Sequence, residues 1–156
     1  MDSEALLRIA RETVEKVKFC FACTLAEDGT VNARLVQPGR LAEDWSVRFM
    51  TLRSTRKVPE MESSGRLTLA YQYDPESAHV VLLGRPRIID DVEAKRAVWS
   101  PEADRWFPGG PEDPDVVLVE LATERIELWS GGRDVMPGFH SALLEREGEG
   151  WRCSLT

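Results

Sequence analysis

Between residues 18 and 129 the chain returns repeatedly to short runs rich in strand-forming residues and bounded by turn-forming ones, several of them alternating apolar and polar residues at period two. Such alternation turns one side of a strand toward a core and the other away from it, which a helix of period 3.6 cannot do. The runs cover residues 18–26, 31–38, 45–51, 66–73, 79–90 and 115–129. The first two are joined by Glu27-Asp28-Gly29-Thr30, and Asp-Gly between alternating runs is a hairpin signal. The fifth run carries Gly84 in its middle, where a glycine marks a bulge or a bend that lets a sheet curl. A mainly β, antiparallel Greek-key barrel with short helices is expected.

Three stretches read as helical. Ser3 is placed to cap a helix whose apolar residues Leu6, Leu7, Ile9, Ala10, Val14 and Val17 recur at helical spacing. A short helix starts near Val58 or Pro59, with Glu60 and Glu62 in its first turn and Gly65 as its stop. Asp90-Asp91 caps a third over residues 92–99. Residues 100–114 are expected to be a loop, rich in proline and glycine, whose Trp106 and Phe107 need a partner or ligand to cover them. Gly131-Gly132 ends the last long run, and the tail over 131–156 adds a weak hairpin about Gly148-Glu149-Gly150. Neither an internal repeat nor a linker divides the chain, so residues 1–156 form a single domain, in keeping with the prior of ~100–200 residues per domain.

With a formal net charge of -7 and a pI near 5.0, the chain lacks the basic face that nucleic acid or an anionic membrane requires. Met1-Asp2-Ser3-Glu4 is acidic where a secretory leader is basic, and no run approaches the ~18 apolar residues of a membrane span, so a cytoplasmic location is expected. Cys20 and Cys23 form a C-x-x-C pair, but three residues apart on a strand they face opposite ways. With Cys153 distant and only His79 and His140 for imidazole ligands, no zinc site is expected.

In so acidic a chain, Arg53-Ser54-Thr55-Arg56-Lys57 is the feature that needs an explanation. Three cations, with Thr51, Ser54 and Thr55, offer within one turn the donors that recognise a phosphate dianion. A solvated turn is the alternative reading, and the glutamates that follow would compete with an anion if they pointed at it. Arg34 shares a strand face with Asn32 and Val36, and it requires an anionic partner if it is buried.

These pieces together resemble a known family. Ala33-Arg34, Met50-Thr51 with Ser54-Thr55-Arg56-Lys57, Leu83-Gly84 followed by Asp90-Asp91, and the unusual segment from Trp99-Ser100-Pro101 through Trp106-Phe107-Pro108-Gly109-Gly110-Pro111 to Asp115 are similar to the FMN-binding split β-barrels related to pyridoxamine 5'-phosphate oxidase, in the general stress protein branch. The resemblance implies a homodimer holding FMN between subunits. It implies that Arg34, Thr51, Ser54, Thr55, Arg56 and Lys57 serve the phosphate and ribityl chain, with Met50 offering main-chain groups near the ring. It also places His79 close to the ring and makes Trp129 a residue that borders the flavin from the partner subunit. The bland alternatives are an ordinary strand-start histidine and a core tryptophan. On this reading the chain is an FMN-dependent oxidoreductase with a nicotinamide donor and an unknown small acceptor. The alternatives are a flavin-binding stress or sensor protein without turnover, or a deazaflavin- or haem-binding relative. Efficient oxidation of pyridoxamine phosphate is not expected, because the tail lacks the Arg-x-His pair that such oxidases use to hold substrate.

Overall fold

The computed structural model describes residues 1–135 and 137–155; Met136 and Thr156, both in the expected tail, lie outside the described residues. In chain order the elements are α1 (Ser3–Glu15), β1 (Cys20–Leu25), β2 (Val31–Val36), β3 (Val47–Leu52), α2 (Lys57–Ser64), β4 (Leu67–Tyr73), β5 (Ala78–Ile89), α3 (Val92–Val98), α4 (Pro101–Trp106), β6 (Val116–Ser130), β7 (Ala142–Glu147) and β8 (Gly150–Leu155). The strands lie in the order β2-β1-β4-β5-β6-β7-β8, every pairing is antiparallel, and β3 joins β6. β6 is long enough to take two partners on one edge, β3 along its first half and β7 beyond it. Among the described residues, the circuit β2-β1-β4-β5-β6-β3 returns to its start only through the bridge between Pro38 and Phe49. The barrel is therefore split rather than closed.

Local chemistry accounts for the turns. Gly29 takes a φ of 85°, which the Asp-Gly hairpin requires, and Asp28 accepts the Thr30 N–H at 2.9 Å. At Gly84 the register of β5 against β6 shifts, and a Cβ there would stand 2.0 Å from the carbonyl oxygen of Ala122. Only glycine allows that approach, so the irregularity in β5 falls at the glycine where the sequence places it. Gly65 ends α2 in the left-handed conformation.

The inward faces of the strands meet in a core that includes Leu67, Leu69, Leu82, Leu121, Ile126 and Leu128, with Leu6, Ile9 and Val14 of α1 laid against it. Each such side chain contributes ~1.5–3 kcal/mol by leaving water. The core thus holds the fold, and the polar turn after β3 is free to serve another purpose.

Three expectations need correction. Asp2, not Ser3, caps α1, its extended backbone letting the carboxylate accept the Ala5 N–H at 2.8 Å. Residues 100–114 are not all loop, because Pro101–Trp106 form α4, with the Ser100 hydroxyl accepting from Ala103 and proline opening the first turn. The tail hairpin is a firm extension of the sheet, β7 pairing with β6 and burying Leu144. Cys20 and Cys23 do face opposite ways, one buried and one half-buried. Burial pushes the Cys20 thiol up to about 12 and also raises that of Cys23, so neither is a thiolate at neutral pH.

Candidate functional site

A cleft of about 620 Å³ lies beside β3, within the ~300–1,000 Å³ range of small-molecule sites. Phe19, Leu35, Val98, Trp106 and Phe107 give it an apolar lining, while Thr51, Thr55 and Lys57 supply polar groups. The edge of β3 away from β6 contributes main chain. Arg48 O accepts from Gly39 N at 2.7 Å and Leu52 O from Thr55 N at 3.0 Å, both on that edge. By the alternation of an antiparallel ladder, the N–H and C=O of Met50 face the same way. Trp106 is 59% exposed despite its size, a surface that a ligand or partner would cover.

Within the basic turn the side chains have unequal tasks. Lys57 is half-buried, and its Nζ donates to Thr55 Oγ1 at 2.9 Å, leaving two of its three donors for other acceptors. Thr55 in turn donates to Leu52 O at 2.7 Å. Burial, and then the nearby Arg34 guanidinium, hold the Lys57 pKa below the ordinary lysine range. Ser54 is turned to β6 instead: its Oγ and N–H both donate to the Asp115 carboxylate, at 2.7 and 2.8 Å. Arg56 leaves 70% of its side chain in solvent, with its Nε 3.8 Å from Glu60. Arg53 reaches Asp90 at 3.4 Å.

Arg34 does find its anionic partner. One end of its guanidinium donates to Ala22 O, Thr24 Oγ1 and Asn32 O at 2.7–3.1 Å, and the other lies 3.4 Å from Glu60. Glu60, on the inner side of α2, also accepts from Thr24 at 2.9 Å and Asn32 at 2.7 Å. Burial opposes its charge, but those two hydrogen bonds and the Arg56 and Arg34 guanidinium groups outweigh it and hold the carboxyl below the usual carboxylate range. Glu60 therefore neutralises Arg34 from behind, and Glu62 is exposed. Counting Arg34, Arg56 and Lys57 against Glu60, the cluster stays positive.

His79 and Trp129 are brought together but not to this cleft. They are opposed across β5 and β6, with rings nearly parallel and centroids 6.1 Å apart. They stand at the far end of β6 from Val117, the residue opposite Thr51, a separation on the order of 40 Å along a strand rising ~3.3 Å per residue. Between these two places runs the outward face of the sheet. The register aligns Leu35, Phe21, Ala70, Val81 and Glu127 in one row, and Ala33, Cys23, Thr68, Leu83 and Arg125 in the next. Phe21, Leu25, Val31 and Leu35 on this face are 42–65% exposed.

Two participants were not read from the sequence. Asp115 lies after a proline-rich segment with nothing local to link it to Ser54, sixty-one residues away. Glu60 was placed correctly in the first turn of its helix, yet the periodicity of eight residues is too short to say which way it points.

None of the helices described is long and apolar enough to cross a membrane. Residues 7–145 match the family described as pyridoxamine 5'-phosphate oxidase like. General stress protein 26 of Bacillus subtilis is 33% identical over 85 residues, 53% of this chain, and the chain spans about 60% of the length of that curated relative. A crystal structure from Clostridium acetobutylicum, of a protein related to that stress protein in the pyridoxinephosphate oxidase family, superposes with a TM-score of 0.73 at 25% identity, covering 85% of this chain and 92% of that one. A pyridoxamine 5'-phosphate oxidase-related, FMN-binding protein from Nostoc punctiforme gives a TM-score of 0.76 over 100% of this chain and 97% of that one, at 14% identity, a likeness of fold. The split antiparallel barrel, the Thr51–Lys57 turn and the match over 7–145 lead to one assignment: the chain belongs to the pyridoxamine 5'-phosphate oxidase-like family.

Proposed function

We propose that this chain is an FMN-binding flavoprotein that acts as an oxidoreductase, with one FMN in the β3 cleft of each subunit of a homodimer. The observation that carries the reading is the composition of the cleft, in which a half-buried, incompletely satisfied lysine and two threonines share one space with an aromatic wall. A ligand with a phosphate at one end and a flat apolar ring at the other fits that lining, and an FMN-binding relative has the same fold. When bound, FMN supplies hydride acceptance and donation. Lys57 would hold the phosphate with its two remaining donors, and Arg34 and Arg56 add positive charge. Main-chain groups of Met50 would orient the ring, and Trp106 and Phe107 would exclude water. Arg48 is tied to Glu120 at 2.7 Å, and Glu102 is engaged by Gln37 at 3.3 Å and Lys18 at 3.6 Å. Among the described residues that line the cleft we assign no general acid or base, and the chain's part is to bind, orient and shield.

The second subunit follows from surface chemistry. Four large apolar side chains exposed on one sheet face are a surface that a second copy would cover. His79 and Trp129, remote from the cleft of their own chain, could border it only from a neighbouring copy. A nicotinamide donor and a small acceptor complete the reading. Pyridoxamine phosphate, which would be oxidised and so would be an alternative hydride donor, is a poor candidate for that part, because Arg133, the one arginine between Trp129 and His140, is paired with Glu12 at 2.9 Å.

An absorption spectrum of the FMN-loaded protein, followed anaerobically after addition of NADH or NADPH, tests the activity. Bleaching of the flavin band with recovery on adding an acceptor is expected. A flavin that stays oxidised with both donors would reduce the proposal to a flavin-binding protein without nicotinamide-driven turnover.

A further inference from the structure

Asp115 presents a paradox, since it is a carboxylate set against the one turn that the chain has made basic. Its Oδ1 and Oδ2 accept the N–H and hydroxyl of Ser54, and its carbonyl oxygen accepts Arg53 N–H at 2.6 Å. These three bonds tie the start of the turn to the start of β6. Asp115 is itself held, because its N–H donates to Asp113 Oδ1 at 2.9 Å. The backbone on either side of it is held by Lys95, whose Nζ donates to Asp113 O and Val116 O, each at 3.0 Å. Lys95 is 1% exposed, and no carboxylate is among these partners; a cation is retained in the interior to fix two carbonyls. Gly109 permits the packing, for a Cβ there would stand 2.3 Å from an oxygen of the Asp113 side chain. A chain of hydrogen bonds thus leads from the buried Lys95 through the 113–116 turn to Ser54, one residue before Thr55 and three before Lys57.

We infer that Asp115, anchored by Lys95, is a positioning residue that fixes the 53–57 turn in its anion-binding conformation, and that Ser54 acts through Asp115 and not as a ligand of the phosphate. The inference rests on the reading of the cleft as an FMN site. Its sign is what makes it testable. A carboxylate near a phosphate site repels the phosphate, so if Asp115 acted through charge alone, removing it would tighten FMN. If it acts by positioning, removing it weakens FMN. Groups that contact only the flavin ring should not notice the change.

The experiment is fluorescence titration of the parent, Asp115→Ala, Ser54→Ala and the double variant with FMN and with riboflavin, thermal midpoints being recorded for each. Asp115→Ala should weaken FMN by about tenfold, a shift of the size a lost charge-assisted hydrogen bond gives, while riboflavin affinity changes less than about twofold. Ser54→Ala should act in the same direction and more mildly. The double variant should bind FMN no worse than Asp115→Ala alone, because both lesions cut one path. Tighter or unchanged FMN binding in Asp115→Ala would overturn the inference, as would additive losses in the double variant, which would make Ser54 a direct ligand. Equal loss of FMN and riboflavin would also overturn it, by showing a general loss of structure. A parent that does not prefer FMN to riboflavin would remove the phosphate site itself, and both readings with it. Ser54→Ala removes a single exposed hydroxyl, so it keeps the test open even if Asp115→Ala folds poorly.

Discussion

Lys57 and Arg56 are adjacent in sequence and unequal in surroundings, so their substitutions separate two accounts of the basic turn. Lys57 lines the cleft and is half-buried, whereas Arg56 is largely in solvent. Lys57→Ala should weaken FMN by ten- to a hundredfold, since hydrogen bonds to charged groups are worth ~1.5–3 kcal/mol each. Arg56→Ala should cost less than about fivefold, in line with the ~0–1 kcal/mol of exposed ion pairs. Isothermal titration distinguishes these values, and equal losses would mean that the turn binds as a diffuse positive surface. Glu60 carries a prediction in pH. Its folded pKa lies below its unfolded one, so the stability it lends is present above the unfolded value and is lost as pH falls through the folded one. Glu60→Gln should therefore lower the thermal midpoint at pH 7, with the difference shrinking in acid. A gap that persists unchanged at low pH would assign the loss to packing. Composition and sign of charge single out Thr51, Thr55 and Lys57, which line the cleft, and the strand pattern singles out Arg34, which reaches Glu60. Side-chain direction was not legible, which is why Ser54 was grouped with the phosphate donors although its hydroxyl is turned to Asp115.

Among the elements, β5 was legible as one long strand, because its apolar Val80–Leu83 run and the β-branched residues beyond it are broken by a single glycine. Gly84→Ala tests the reason given for the break. With a Cβ 2.0 Å from Ala122 O, the substitution must displace backbone and not a flexible side chain. It should destabilise by roughly 3 kcal/mol, the upper end of what overpacking costs, measurable by urea denaturation. A loss below ~0.5 kcal/mol would mean that the β5–β6 register adapts readily. α4 was illegible for the opposite reason: at six residues it makes fewer than two turns, too few for a period to show against a proline- and glycine-rich background. Its signal was Ser100-Pro101, a cap followed by a proline at the first helical position. The tail hairpin was read as weak because its turn residues were clear and its partner was not. β6 supplies that partner through an edge that β3 leaves free.

At the scale of the whole molecule, the outward sheet face and the cleft are two halves of one claim. Leu35 belongs to both, for it lines the cleft and lies in the apolar row. It is 61% exposed, so Leu35→Glu disturbs little in the isolated chain and much in a dimer. Sedimentation should give the parent about twice 17.6 kDa and the variant about that mass, at a nearly unchanged thermal midpoint. A monomeric parent that binds FMN tightly would show the cleft to be complete in one chain. The sequence alone does not show this face, because which side of each strand lies outward depends on how the eight strands are ordered in space. The central claim is that the cleft reads a phosphate at one end and a ring at the other. Calorimetric titration of the parent with FMN and with riboflavin tests it most directly. The account predicts one FMN per chain, bound at least ~30-fold more tightly than riboflavin, a difference of about 2 kcal/mol; equal affinity for the two would contradict it.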